Sequence, residues 1–252
     1  MLVAHISDIH FGPQFQRKVF ETAVEEINSL APEAIIISGD FTENGLLNEF
    51  RLAQNYLKKF KVDRFIICSG NHDYRTTGFL LFGRFFPYKQ LIEIDDKVFI
   101  VLNTARPDRD EGEVGHRQNL WLERQLAAHQ GMYKIVLMHH HLIPIPDTGP
   151  DRLTIIDSGD IMRTLIKGNV DLVLCGHRHR PWKWDLKDFS VIHAGTLTSE
   201  RLRGFFANSY NILKIDRSGV DAQLKVVGGQ AIDFARLLEE KETTQFFEVE
   251  DS

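Results

Sequence analysis

Two rhythms of hydrophobic residues alternate along this chain. Short continuous apolar runs give way to amphipathic stretches of helical period, and the order repeats. Residues 2–7 read as a buried strand. Across residues 13–30, Phe15, Val19, Phe20, Ala23, Val24 and Ile27 recur at helical spacing, and Pro32 ends the pattern. Residues 34–38 form a β-branched run, 46–60 a second helical pattern and 64–69 a third strand. Such a βαβαβ opening implies a parallel sheet with right-handed crossovers. Its strands end in polar residues, and open α/β sheets take ligands at the carboxyl ends of their strands.

The rhythm continues with strands over 97–103 and 133–138, a helix over 117–129 between them, a helix over 158–167 and a strand over 170–175. Beyond Pro181 the runs shorten. Strands at 182–186, 189–193, 210–215 and 220–226, with a turn at 216–219, are expected to close a second, antiparallel sheet. No repeat, low-complexity tract or linker interrupts the pattern, so one domain is expected over residues 1–228. A tail over 229–252 is expected to form a short helix and then a frayed acidic end with Glu248, Glu250 and Asp251.

Composition narrows the function classes. The 252 residues carry 30 Lys+Arg against 35 Asp+Glu, a formal charge of −5, so no global positive field gathers nucleic acid. Only Cys68 and Cys175 are present, and both read as small buried hydrophobes in a reducing compartment. No apolar run approaches the ~20 residues of a membrane span, and no leader pattern is visible at Met1, so a cytoplasmic protein is expected.

The chemistry lies in five short motifs where strands should end: Asp8-Ile9-His10, Gly39-Asp40, Gly70-Asn71-His72-Asp73, His139-His140-His141 and Gly176-His177-Arg178-His179. Carboxylate, imidazole and amide oxygen together suit divalent transition metals. Asp8, His10, Asp40, Asn71, one of His139–His141, His177 and His179 make seven donors. One tetrahedral ion needs four, whereas two ions sharing a carboxylate would use all seven. Residues two apart, as in Asp8-x-His10, share one side of an extended segment. The same spacing in His177-x-His179 allows a slight turn to send the two imidazoles to different ions.

These motifs, in this order over about seven-tenths of the chain, resemble those of the calcineurin-like metallophosphoesterase superfamily, in particular its small bacterial phosphodiesterases. The resemblance implies an α/β fold, a four-layer α-β-β-α sandwich of two mixed sheets flanked by helices. It implies two divalent metal ions, of manganese, iron, zinc or cobalt. Asp8, His10 and His179 would hold the first, Asn71, His139 and His177 the second, and Asp40 would bridge them. His72 would face the leaving oxygen. A hydroxide bridging the ions would then attack phosphorus in line with the leaving group. The fourth motif departs from the pattern in having three histidines. His139, first after its strand, is favoured as donor, with His140 the runner-up and His141 an outer or substrate-side group.

Other residues carry plainer readings. His5 reads as core or supporting, His129 as serving a helix end and His193 as structural. Phe79, Leu80, Leu81, Phe82, Phe85, Phe86 and Tyr88 read as a helix packed on the sheet, or as an exposed cap for a lipid-like group or nucleobase. Arg178, between two expected donors, is the candidate outward substrate contact. Substrate specificity is assigned to loops near 74–95, 104–118 and 142–157. The expected activity is hydrolysis of a small nucleotide-type phosphodiester. The alternatives are a DNA-repair-type nuclease, a lipid-linked pyrophosphate hydrolase and a non-catalytic scaffold.

Overall fold

The computed structural model describes residues 1–86, 91–146, 148, 154–203 and 207–237. The opening is as the pattern predicts. Strands β1 (Leu2–Ile6), β2 (Ala34–Ile37) and β3 (Phe65–Ile67) lie parallel and in order, joined by helices α1 (Arg17–Leu30) and α2 (Leu47–Leu57). Helix α1 starts later than Pro13, because residues 11–16 are tied elsewhere. Phe11 bridges Thr42, Phe15 bridges Ser199, and the Gln16 amide donates to the Thr198 carbonyl. Helix α3 (Gly78–Phe85) and the hairpin of β4 (Leu91–Ile94) with β5 (Lys97–Val101) follow.

A second sheet grows on β5. Strands β6 (Tyr133–Leu137) and β7 (Leu172–Cys175) run parallel to it, with α4 (His116–Ala128) and α5 (Ser158–Lys167) on its outer face. The strands beyond Pro181 do not form a sheet of their own, which corrects that expectation. β8 (Trp182–Asp185) and β9 (Ser190–His193) extend the second sheet, β9 parallel to β7 and β8 antiparallel at its edge. β10 (Ser209–Asp216) and β11 (Gly219–Val226) return to the first sheet, antiparallel to β1. A period-two pattern identifies a hairpin but not the sheet edge it joins. Both sheets are therefore mixed, in the orders β12-β11-β10-β1-β2-β3 and β4-β5-β6-β7-β9-β8, where β12 is Ala231–Asp233.

Side-chain alternation sorts the core into three layers of packing. Val3, Ile36, Phe99, Ile135, Leu172, Leu213 and Leu224 meet between the sheets. Ala4, Ile6, Ile35 and Ile37 face the other way, onto Phe20, Ile27, Phe50 and Leu57 of α1 and α2. Val98, Ile100, Val136 and Val173 face Leu122, Leu126, Ile161 and Leu165 of α4 and α5. The result is an α-β-β-α sandwich. Cys68 and Cys175 are buried within it, and among the described residues no helix is long and apolar enough to cross a membrane.

The aromatic stretch largely packs inward. Phe82 and Phe86 are buried, Phe86 stacks on Phe41 at 4.4 Å and Phe85 on Phe50 at 5.5 Å, while Phe79 and Leu80 face solvent. Tyr88 lies outside the described residues. The expected boundary after residue 228 also shifts. β12 pairs with β11, and Phe234, at the start of α6 (Phe234–Leu237), is buried between the sheets, so the chain through residue 234 belongs to the fold. Residues 238–252 lie outside the described residues. Phe234→Ala should destabilise the protein by about 3–5 kcal/mol through a large-to-small core change. Ending the chain after Gly229 should likewise lower the urea midpoint. An unchanged midpoint in both would restore the boundary at 228.

Candidate metal centre

The loops leaving β1 and β2 run side by side beyond the sheet. The amides of Asp8, His10 and Phe11 donate to the carbonyls of Gly39, Asp40 and Phe41 at 3.1, 3.0 and 2.7 Å. Across the sandwich, the Gly176 amide donates to the His139 carbonyl at 2.9 Å, which couples the β6 and β7 loops in the same way. The carboxyl ends of five strands thus meet at one rim. All seven expected donors are buried there, and they fall into two sets.

In the first set, His10 Nε2 and His179 Nε2 are 2.9 Å apart, and Asp8 Oδ1 lies 3.8 and 3.3 Å from them. In the second, Asn71 Oδ1 lies 3.1 Å from His139 Nε2 and 3.0 Å from His177 Nδ1. Asp40 Oδ2 touches both sets, 3.7 Å from His10 Nε2 and 3.3 Å from His139 Nε2. Donors bound about 2.0–2.2 Å from one ion lie about 3 Å from each other, so these separations fit shared cations. Asp8 Oδ1 is buried and has no hydrogen-bond partner among the described residues, although it points at two imidazole nitrogens. The groups Asp8–His10–His179, Asp8–Asp40–His139 and His10–Asp40–His72 each bring their donor atoms within 4.8 Å of one another.

Outer contacts turn each donor. His139 Nδ1 donates to the Ser38 carbonyl at 2.6 Å and His179 Nδ1 to the Arg201 carbonyl at 2.5 Å, while His10 Nδ1 sits 3.0 Å from Glu43 Oε2. Each arrangement leaves Nε2 facing inward, as supporting contacts do in metal sites. Asn71 Nδ2 donates to Asp110 Oδ1 at 3.1 Å, which turns the amide oxygen inward. His177 is reversed, with Nδ1 toward Asn71 and its backbone amide donating to Asp8 Oδ2 at 3.0 Å. The two imidazoles of the last motif therefore serve different sets.

The backbone departs from the extended form expected for Asp8-x-His10. Asp8, His10, Asp40, His177 and His179 all have positive φ, between 53° and 75°. Left-handed non-glycine residues cost of order 1–3 kcal/mol each and collect at functional sites. Two glycines permit the close approach of neighbouring motifs. A Cβ at Gly70 would lie 2.1 Å from Asp40 Oδ1, and one at Gly39, where φ is +94°, would lie 2.6 Å from His139 Nδ1.

Charge follows the geometry. Burial opposes ionisation of both carboxylates, but the imidazoles around them win. His179 beside Asp8 and His139 beside Asp40 hold each acid well below its ordinary value. Burial would likewise lower His10, yet Asp8, Glu43 and Asp40 push it up to about 10, and Asp40 pushes His139 up to about 9. The rim is built to balance positive charge.

His72 lies beside the sets, with a ring nitrogen within 4.8 Å of donor atoms of His10 and Asp40. Its Nδ1 donates to the Glu43 carbonyl at 2.7 Å, its amide donates to Asp40 Oδ1 at 2.8 Å, and its ring meets His10 edge-on at 4.5 Å. His140, the runner-up donor, is turned away. Its nitrogens meet Thr104 Oγ1 at 2.8 Å and the Asp110 carbonyl at 3.1 Å. The two expected substrate contacts are as buried as the donors. His141 is buried, stacked on His177 and edge-on to His193, and Arg178 is buried with Nη2 donating to the Thr148 carbonyl. A motif's interior residue can point into the protein as readily as out, and spacing does not decide which.

Sequence reasoning passed over Glu43, Asp73 and Arg201. Asp73 Oδ1 accepts from the Thr42 amide and hydroxyl at 2.9 and 3.0 Å, and Oδ2 from the Gly70 amide at 2.9 Å, which locks two motif loops together. Its place in Gly70–Asp73 was the signal. Glu43 and Arg201 gave none. The supporting role expected of His5 fits its contacts with Ser38 Oγ and Asn211 Nδ2, and His129 Nδ1 lies 2.7 Å from the Gln125 carbonyl at the end of α4.

The comparisons with known proteins agree with this geometry. Residues 1–181 match the family model described as calcineurin-like phosphoesterase, and the chain belongs to that family. It is a metal-dependent phosphoester hydrolase. A probable cyclic nucleotide phosphodiesterase of Xenorhabdus bovienii is 23% identical over 221 residues, covering 81% of this chain and 89% of that protein. The glycerophosphodiester phosphodiesterase GpdQ of Enterobacter lignolyticus is 27% identical over 201 residues, 71% of each chain. A dimetal phosphatase from Danio rerio shares the fold with a TM-score of 0.66 at 13% identity, over 89% of this chain and 95% of that one.

Burial pushes the His5 imidazole down to about 3, with Asp8 partly opposing. The unfolded chain, near 6.5, then binds a proton that the native state refuses. The stability from neutral His5 is full above about pH 6.5 and is lost as pH falls toward 3. The urea midpoint of the native protein should therefore fall more steeply across that window than that of His5→Gln. Equal slopes would mean His5 protonates freely in the fold.

Proposed function

We propose that this chain is a two-metal phosphodiesterase acting on a small nucleotide-type phosphodiester. One observation carries the reading, the position of Asp40 Oδ2 between two donor sets that each hold three further donors. Asp8, His10 and His179 would hold one divalent ion with Asp40, and Asn71, His139 and His177 the other. Manganese, iron, zinc and cobalt all suit this donor mixture. When bound, such ions draw electron density from a phosphoryl group and ease the ionisation of water.

The protein's own groups do the rest. The buried carboxylates of Asp8 and Asp40 fix where positive charge collects, in a rim from which water is largely excluded. His72, held at Nδ1 by the Glu43 carbonyl, keeps Nε2 for the substrate. Burial lowers its pKa to about 4, with Asp40 partly opposing, so the ring meets substrate neutral. Negative charge arriving on a phosphoester raises the proton affinity of the ring, so that Nε2 takes up a proton from solvent and can then pass it to the leaving oxygen.

A diester is favoured by the relatives, which are named for cyclic nucleotides and glycerophosphodiesters. The net charge of −5 disfavours a nuclease. The full donor complement disfavours a scaffold, and the inward packing of Phe82 and Phe86 leaves a lipid-linked substrate only Phe79 and Leu80 as exposed large apolar side chains among the described residues of that stretch.

Asp40→Asn should lower metal content and reduce diester hydrolysis by more than about 100-fold, beyond the effect typical of outer-shell partners. Full activity in a metal-poor variant would refute the mechanism. His139→Ala and His140→Ala separate the two histidines. The first should lose metal. The second should keep it while losing about 1–3 kcal/mol of stability to unmet buried groups. The reverse pattern, read by metal analysis and denaturation, would move the donor to His140.

A further inference from the structure

Two arginines that belong to none of the five motifs end at one residue beside the metal centre, Arg201 on the Glu43 carboxylate and Arg75 on the Glu43 carbonyl. Arg201 Nη2 lies 2.6 Å from Glu43 Oε1, and the Arg201 carbonyl accepts a hydrogen bond from His179 Nδ1. Arg75 Nη1 donates to the Glu43 carbonyl at 3.4 Å and Nη2 to Asp110 Oδ1 at 3.0 Å. Glu43 is buried, with Oε2 3.0 Å from His10 Nδ1 and its carbonyl holding His72. Both guanidinium groups thus stand one residue away from the ring proposed to face the leaving oxygen.

Neither arginine is sealed in. The Arg201 side chain is 48% exposed and that of Arg75 30%, whereas Glu43 is 4% exposed. A guanidinium carries five N–H donors in a rigid fork, more than these acceptors use. Pairing with a buried carboxylate fixes the plane of the Arg201 fork and leaves its outer edge toward solvent. That geometry suits bidentate capture of a phosphate better than a flexible ammonium would. Asp110 already faces Arg75, so Arg201 is the stronger member of the pair.

We propose that Arg201, assisted by Arg75, forms an anion subsite on the leaving-group side of the metal centre, taking a second phosphate joined to the scissile one through the leaving oxygen. The proposal rests on the phosphodiesterase reading above. In such a substrate, water adds its oxygen to the attacked phosphorus and the bond from that phosphorus to the bridging oxygen breaks. The bridging oxygen departs as a terminal oxygen of the second phosphate. One proton of water stays on the new phosphate and the other passes to the leaving phosphate or to solvent. Arg201 stabilises the charge that grows on the departing group.

The test compares two substrates on the manganese-loaded protein. Bis(p-nitrophenyl) phosphate carries no second phosphate, and ADP-glucose carries one across the scissile oxygen. Arg201→Met should lower the ratio of kcat/KM for ADP-glucose over the diester by about tenfold or more, the worth of one charge-assisted hydrogen bond. Arg201→Lys should recover part of the ratio, and added guanidinium chloride should restore ADP-glucose turnover in Arg201→Met, a rescue that a purely structural arginine would not give. If Arg201→Met does not fold, Arg75→Met carries the same expectation with a smaller drop. Cleavage of the diester without ADP-glucose by the unaltered protein overturns the subsite, as does an unchanged ratio in both methionine variants. Cleavage of neither substrate overturns the phosphodiesterase reading itself.

Discussion

The arrangement depends on a concentration of buried carboxylates and imidazoles at one rim, which bound protons or bound cations can balance. Two carboxylates, four imidazoles and an amide oxygen share one water-poor rim, with Asp40 Oδ2 common to both halves. Carboxylates and imidazoles buried this way are expensive unless paired or metallated. The pKa directions express that demand, since Asp8 and Asp40 are held ionised while His10 and His139 are driven to bind protons. Protons and divalent ions compete for the same electron pairs, so acid and metal depletion act on one balance.

Neither sheet carries the centre alone. Asp8, His10, Asp40 and Asn71 come from loops of the first sheet, and His139, His177 and His179 from the second. Each donor set mixes the two. The separation of donors is therefore set by the apolar layer between the sheets, where Val3, Ile36, Phe99, Leu137 and Leu174 interlock. A packed interior deforms little, and this stiffness lets loop residues hold ångström-scale geometry. Because the site forms only when the sheets meet, ion binding favours the folded chain.

Much of this was legible in the sequence. The five motifs and the count of seven donors followed from residue chemistry, the division into two sets and the sharing of Asp40 from the family resemblance, and strands from apolar runs at 34–38 and 133–138. Local pattern failed where the answer was not local. Whether the hairpin of β10 and β11 joins one sheet or the other depends on which apolar face Leu213 and Leu224 meet, and that is decided by strands two hundred residues away. Phe234 looked like tail for the same reason. Its partners lie in both sheets, and nothing nearby announces them.

The expected substrate contacts show a related limit. Arg178 and His141 were chosen because they neighbour donors in sequence, and both are buried. Arg201 and Glu43, far apart in sequence, are brought to the site by backbone that no periodicity encodes. The left-handed conformations at Asp8, His10, Asp40, His177 and His179 re-aim successive side chains, so adjacency along the chain no longer predicts adjacency in space. The strain that places the donors also hides their neighbours from a linear reading. Residues that touch a substrate here are better sought among those that brace the donors, as Arg201 braces His179 through its carbonyl, than among those that flank them in the motifs.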